Sequence, residues 1–272
     1  MKIFCLQIFL FTVSYTGISQ DTLVLKKYVG NLKQIEVSIN NHAFNFLFDS
    51  GGGETIVSTD VANILGRPIY GNGTGFRMTG EIINYRLCDS VSLIIGSATI
   101  FHETVGVWDI MNVLPKELPK LDGVLSLKSF KDKIVTFDLA NNRIIFETPA
   151  SYQKKSSQMI PLKSRFANGQ HGNELTVLIG IEKLRHTYWF LLDSGNLDNV
   201  LLSHPTAHEW GLENDTTTQR TKVGELTIPL GNKQSPAEAS STNLIYDGAL
   251  NYTIISRFIF LINFPKKQSW VN

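Results

Sequence analysis

Asp49 and Asp193 are the residues best placed to do chemistry, because each stands in nearly the same hexapeptide. Phe46-Leu47-Phe48-Asp49-Ser50-Gly51 recurs as Phe190-Leu191-Leu192-Asp193-Ser194-Gly195, 144 residues further on. Each Asp follows three bulky apolar residues, which places it at a strand end in apolar surroundings, and Gly51 and Gly195 let the backbone turn tightly behind it. A lone buried carboxylate is costly. Two that face each other share one proton, so one member can act as general base toward a water and the other as general acid toward a carbonyl. The hydroxyls of Ser50 and Ser194, one residue on, are expected to bond the outer carboxylate oxygens and fix their orientation. This chemistry needs neither a metal nor any other cofactor, and none is expected.

The flanks repeat as well, so the hexapeptides are parts of a longer duplication. Alternating runs at 35–39 and 43–48 around Asn40-Asn41 read as a hairpin, and 175–181 with 188–192 repeats it with a longer loop. Downstream, the segments 58–66 and 203–211 each run from a Ser to a Gly over a short helical stretch, the second with Pro205 near its first turn. Asp122-Gly123-Val124-Leu125 and Asp247-Gly248-Ala249-Leu250 form a third pair, each followed after 16 residues by a second polar position, Asp138 or Asn263. Between Asp-Ser-Gly and Asp-Gly the second copy is 19 residues shorter. Further strand signals at 91–95, 134–137, 144–146 and 258–262, with few helical ones, favour sandwiched or closed sheets. The expected organisation is a leader at 1–20, an N-terminal β lobe at 21–150 and a C-terminal β lobe at 151–272. The join falls between residues 147 and 161, where Pro, Ser and Lys interrupt the apolar pattern.

Composition narrows the function classes. The 272 residues are 43% apolar and 18% charged, enough apolar material for a folded protein of one or two cores. Residues 1–20 place Lys2 ahead of an apolar run that ends in small and polar residues, the pattern of a secretory signal peptide, too short for a membrane span. Export to a periplasm or outside the cell follows as an expectation, with no stable membrane insertion after cleavage. Removing that leader leaves 24 basic and 24 acidic residues. A neutral chain argues against nucleic acid as partner. Of the two cysteines only Cys88 remains, in a strand-like alternation that reads as a buried residue and offers no internal disulfide.

Together these residues resemble the pepsin-like and retropepsin-like aspartic proteases, especially the exported bacterial two-lobed members. Asp49-Ser50-Gly51-Gly52-Gly53-Glu54-Thr55-Ile56-Val57 is similar to the family's Asp-Thr/Ser-Gly signature with its trailing Thr and aliphatic pair, and residues 193–201 resemble a second copy. The Asp-Gly-aliphatic-Leu segments resemble the stretch beneath each active-site loop. The segment 71–80, GNGTGFRMTG, resembles the hairpin that closes over substrate. The resemblance covers most of the chain. It implies an all-β fold of two similar β-barrel-like lobes with a few short helices, and a monomeric endopeptidase acting on peptide or protein substrates. Asp49 and Asp193 would be catalytic, Ser50, Gly51, Ser194 and Gly195 would support them, and Gly73, Thr74, Gly75 and Gly80 would touch substrate. The chain departs from the pattern at Ser126, Asn251 and Asn196, and neither Tyr70 nor Tyr85 falls where the family places its hairpin tyrosine. Those departures keep open a second expectation, a peptide- or glycan-binding protein on the same scaffold without hydrolysis.

Other constellations are weaker. His204 and His208 stand four apart, but Pro205 puts His204 at a helix entry and no third ligand is near, so they read as surface or capping residues. The glycines at 71–75 and 51–53 lack the Lys and βαβ setting of a phosphate loop and read as hairpin and turn glycines.

Overall fold

The computed structural model describes residues 20–169, 174–212 and 215–272, so the expected leader, apart from Gln20, lies outside the described residues. The described chain is all-β with a few short helices, and its strands form three sheets. Among the described residues no helix is long and apolar enough to cross a membrane.

The duplication is written directly into strand order. In an eight-stranded sheet the strands Lys33–Ile39, His42–Phe48, Gly123–Leu125, Ile56–Val57, Ala98–Val107 and Ile82–Ile95 are successive neighbours. In a seven-stranded sheet Thr176–Lys183, His186–Leu192, Gly248–Leu250, Val200–Ser203, Lys233–Thr242 and Arg220–Leu230 follow the same order. The additional strand Ile69–Phe76 at one edge of the first sheet has no counterpart in the second, which accounts for the shortening there. The third sheet, of six strands, joins Thr22–Val24, Ile134–Asp138 and Arg143–Phe146 to Phe260–Asn263, Gln268–Val271 and Ile160–Leu162. Ile134–Asp138 pairs antiparallel with Phe260–Asn263 at its centre, so segments from both halves share one hydrogen-bonded layer. The sequence pattern gave no sign of this shared layer, because pairing of the two copies' last hairpins depends on their approach in space.

Local chemistry explains the elements that carry the repeat. Asn40 and Asn41 adopt φ of 49° and 65°, the two-residue turn that matches strand twist. The second hairpin also turns in two residues, Leu184 and Arg185 at φ 52° and 64°, and not in the longer loop expected. Neither residue favours that region, so the pairing of Thr176–Lys183 with His186–Leu192 imposes it. The helices Thr59–Leu65 and His204–Glu209 start where expected: Ser58 Oγ accepts from Val61 N, and Ser203 Oγ from Thr206 N. The join is itself a helix, Pro149–Ser156, capped by Thr148 and burying no residue. Phe258–Ile262 is a strand only from Phe260 onward.

Each Asp-Gly-aliphatic-Leu segment lies parallel to the strand that delivers an Asp, with Phe48 opposite Leu125 and Leu192 opposite Leu250. The flanking acids hold the register: Asp122 Oδ2 accepts from Asn45 N at 3.0 Å and Asp247 Oδ2 from Trp189 N at 2.7 Å. Glycine is required because the aromatic ring of the neighbouring strand lies across it. A Cβ on Gly123 would stand 2.7 Å from Phe46 Cε2, and one on Gly248 2.7 Å from Phe190 Cδ1 and 2.6 Å from the Leu201 carbonyl. Gly248→Ala should therefore lower unfolding free energy by about 1–3 kcal/mol, as overpacking does, read as a lower urea midpoint. An unchanged midpoint would show that the strand can shift freely.

The core runs through all three sheets. Phe137, in the shared sheet, stacks on Phe48 at 5.9 Å and meets Phe264 edge-on at 6.4 Å, so the strand that ends at Asp49 rests on an aromatic cluster spanning the halves. Cys88 is fully buried, as its alternation suggested.

Candidate active site

Both Asp-Ser-Gly turns come together with near-twofold symmetry. Gly51 N donates to Asp49 Oδ1 and Gly195 N to Asp193 Oδ1, each at 2.9 Å. A Cβ on Gly51 would lie 2.5 Å from Asp193 Cγ, and one on Gly195 2.7 Å from Asp49 Oδ1. Each glycine therefore presses its bare Cα against the opposite carboxylate, and a side chain at either would push the pair apart. This packing leaves the two carboxyl groups within reach of one another, close enough for each to shift the other's titration.

The serines act differently from the expectation. Ser50 Oγ donates to the Leu192 carbonyl at 2.7 Å and accepts from Ser194 N at 2.8 Å, while Ser50 N donates to Ser194 Oγ at 3.0 Å. They bond neither carboxylate. Each hydroxyl instead reaches across to the backbone of the other half, where it satisfies groups at the two strand ends that would otherwise be buried without partners. The carboxylates are oriented by glycine N–H groups, and the serines lock the two turns together.

Asp49 is partly buried and Asp193 is 4% exposed. Burial and the Asp49 charge hold Asp193 well above the usual carboxylate range. Burial also raises Asp49, but hydrogen bonds from Gly51, Asp193, Gly52 and Gly195 oppose it. Two like charges this close favour a shared proton, and of the two groups Asp193 is the more strongly raised, a difference that the sequence could not assign to either member.

Two of the residues at which the sequence departed from its expected pattern, Ser126 and Asn251, cap short helices beside these turns. Ser126 accepts from Lys128 N at the start of the short turn Leu127–Phe130 and donates to the Gly53 carbonyl at 3.0 Å. Asn251 caps Tyr252–Ile255, and its Nδ2 donates to the Asp198 carbonyl at 2.7 Å. Each thus ties a helix cap to the loop just after a catalytic-type turn, which a glycine could not do. Asn196 closes its own loop by accepting from Asp198 N at 3.0 Å.

The hairpin of Ile69–Phe76 and Ile82–Ile95 reaches from the first half to the second. Its tip is at 77–81, beyond the glycine run expected to form it: Gly80 N donates to the Arg77 carbonyl, with Gly80 at φ 86°. Gly73 and Gly75 are buried, Thr74 partly so, and Tyr85 fills the space beneath, with its Cζ 2.7 Å from the point a Gly73 Cβ would occupy. The tip crosses to the second half, where Ile245 N donates to the Met78 carbonyl at 2.9 Å and the Met78 side chain packs on the cluster of Leu178, Leu191, Leu201 and Ala249.

A buried polar cluster adjoins the Asp49 turn, and sequence reasoning missed it. Lys128 Nζ lies 2.9 and 3.0 Å from the two oxygens of Glu54 and 3.2 Å from the Thr104 carbonyl. Both side chains are at most 9% exposed. Burial raises Glu54 to about 7 against the pull of Lys128. Beside them Thr55, Ser126, Ser129 and His102 are linked by hydroxyl and imidazole hydrogen bonds, and burial together with Lys128 and Lys131 pushes His102 down to about 4. Glu54 and Lys128 are 74 residues apart, and only the buried acid one step beyond the glycines could have signalled a partner. His204 and His208 sit on one short helix, and among the described residues no group of three or more His, Cys, Asp or Glu could hold a metal ion.

No family model and no curated protein matches the chain. Among solved structures it is similar to basic 7S globulin from soybean, with a TM-score of 0.54 and 8% identity over 94% of this chain and 95% of that one. It is likewise similar to conglutin gamma, a unique basic 7S globulin from lupine seeds, with a TM-score of 0.54 and 9% identity over 93% and 94%. At that identity the likeness is one of fold. It corrects the reading of the chain as a member of the pepsin-like and retropepsin-like aspartic proteases: no family model supports that membership, and the fold neighbours carry the names of seed globulins. The physical reason is that the duplicated motifs specify turns, strand pairings and close glycine contacts, which belong to an architecture and not to one activity.

Proposed function

We propose that the chain is a peptide-binding protein of two lobes whose cleft, between the Asp turns and the overhanging hairpin, hydrolyses peptide bonds with a water activated by Asp49 and Asp193. The single observation that carries this reading is the close facing of the two carboxyl groups, each pressed against the opposite glycine and oriented by the N–H of Gly51 or Gly195. One carboxylate takes a proton from water as that water attacks the carbonyl. The other carboxyl donates its proton to the carbonyl oxygen, and the resulting tetrahedral intermediate collapses as the amine leaves protonated. No covalent acyl-enzyme forms. An extended peptide would bond through its backbone to the hairpin strand around Gly73 to Gly80. The protein acts as a monomer after export to a periplasm or outside the cell.

The fold comparisons favour a second reading, retention of a peptide or glycan in the same cleft without turnover, because the similar structures are named as globulins. Digestion of an unfolded protein across pH 3–8, with and without a transition-state mimic directed at carboxyl dyads, separates the two. Inhibitor-sensitive cleavage supports hydrolysis. Stoichiometric binding with no product at any pH replaces it with the second reading.

A further inference from the structure

Glu174 lies just before the strand Thr176–Lys183, and its neighbour Leu175 donates from N to the Gly53 carbonyl at 3.0 Å, which moors it against the Asp49 loop. Its Cβ, Cγ and Cδ lie 3.6–3.7 Å from the point a Gly53 Cβ would occupy, and its Oε1 lies 2.9 Å from the equivalent point on Gly75. The carboxyl group therefore fills space between the Asp49 turn and the inner face of the hairpin. Gly52, one residue away, would bring a Cβ within 3.2 Å of Asp49 Oδ2, so Glu174 stands on the order of 10 Å from the acid pair, given the 3.8 Å step between successive Cα atoms. Tyr85 reaches within 3.4 Å of the same Gly75 point. Tyr246, next to the residue that latches the hairpin tip, has its hydroxyl pKa raised by burial and by the nearby Glu174 charge.

The neighbouring acids are already satisfied. Asp49 and Asp193 share a proton, and Glu54 is held by Lys128. Among the described residues Glu174 accepts no hydrogen bond and joins no ion pair. Lys128 is the basic group that acts on it, while Lys131 and Lys267 line the cavity of about 270 Å³ that opens beside it. A carboxylate between tyrosine rings in a partly enclosed cleft attracts a cation. A lysine or arginine side chain on an extended peptide spans the distance from a residue beside the acid pair to this point.

We infer that Glu174 selects peptides that carry a lysine or arginine next to the bond presented to the Asp pair. The inference rests on the reading of the cleft as a peptide site. It is tested by titrating the Asp193→Asn protein, where no product forms, with Ac-Ala-Ala-Lys-Phe-Ala-Ala-NH2 and with the same peptide carrying norleucine for lysine. The lysine peptide should bind about 10- to 100-fold more tightly, the range of a charge-assisted hydrogen bond. Adding Glu174→Gln should bring the ratio to about one, and Glu174→Asp should restore part of it. Burial raises Glu174, so the preference should fade as pH drops through its titration, which lies above the usual glutamate range. Equal binding of the two peptides, or a preference that survives Glu174→Gln, overturns the inference while leaving a peptide cleft in place. Failure of both peptides to bind overturns the inference together with the peptide cleft.

Discussion

Asp193→Asn should abolish peptide hydrolysis while raising thermal stability at neutral pH. The loss of activity follows from removing a proton donor and acceptor from the pair, an effect of about 10²- to 10⁴-fold or more for general acid–base groups. The gain in stability follows from linkage. Asp193 is raised in the folded protein, so it binds its proton more tightly there than in the unfolded chain, where Asp titrates near 3.9. Its contribution is fully present below about pH 4 and is lost as pH rises through its native titration. An asparagine carries no such penalty, so melting temperature should fall less between pH 4 and pH 7 in the variant than in the native protein. Asp49→Asn should silence hydrolysis in the same way. Full cleavage by either variant removes the pair from the chemistry. An unaltered pH dependence of melting in Asp193→Asn would mean that the two groups are not sharing a proton.

Lys128→Met should be the most destabilising substitution near the site, and its effect should depend steeply on pH. Removing the ammonium leaves the Glu54 carboxylate, 2% exposed at its side chain, without its counter-charge, and breaking a buried pair in this way costs about 3–5 kcal/mol. Glu54 is raised to about 7 even with Lys128 present. Its stabilising contribution is therefore complete below the unfolded glutamate range and is lost as pH rises through that value. In the variant Glu54 is raised further, so at pH 5 it is neutral and the cost is small, while at pH 9 the full penalty is expressed. Urea unfolding at the two pH values measures the difference. Adding Glu54→Gln should recover most of the stability at pH 9, and an equal loss at both pH values would show that packing around the lysine stem, not charge, is what matters.

The parts of the molecule legible in the sequence are those fixed by a residue and its near neighbours. Ser58 and Ser203 announced helix starts, Asn40-Asn41 announced a turn, and the two hexapeptides announced two equivalent strand ends, because each depends on local backbone preference repeated twice. The juxtaposition of Asp49 and Asp193 was legible only through that repetition. What the sequence withheld depends on partners far along the chain. The hydroxyls of Ser50 and Ser194 could bond their own carboxylates or the opposite backbone, and only the approach of the two turns decides between them. Lys128 reads as an ordinary surface lysine until Glu54 is seen beside it. Leu184 and Arg185 carry no turn signature, so the hairpin they close looked longer than it is. The fold itself was readable as all-β, but its activity was not, since a similar fold is found in globulins of seeds.

In the proposed peptide cleft, the bond between Ile245 N and the Met78 carbonyl would make the space above the acids a tunnel in place of an open trough. A guest with both ends anchored in a rigid body could not be lowered into it from above; it would have to thread lengthwise, or wait for that bond to break. One such hydrogen bond holds by only about 1 kcal/mol, so the arch would lift at little cost in that bond, yet each lift would expose Met78 and the apolar patch under it. Slack segments of denatured chains and free chain ends, narrow enough to slide beneath a closed arch, would enter more readily than the loops of well-folded proteins.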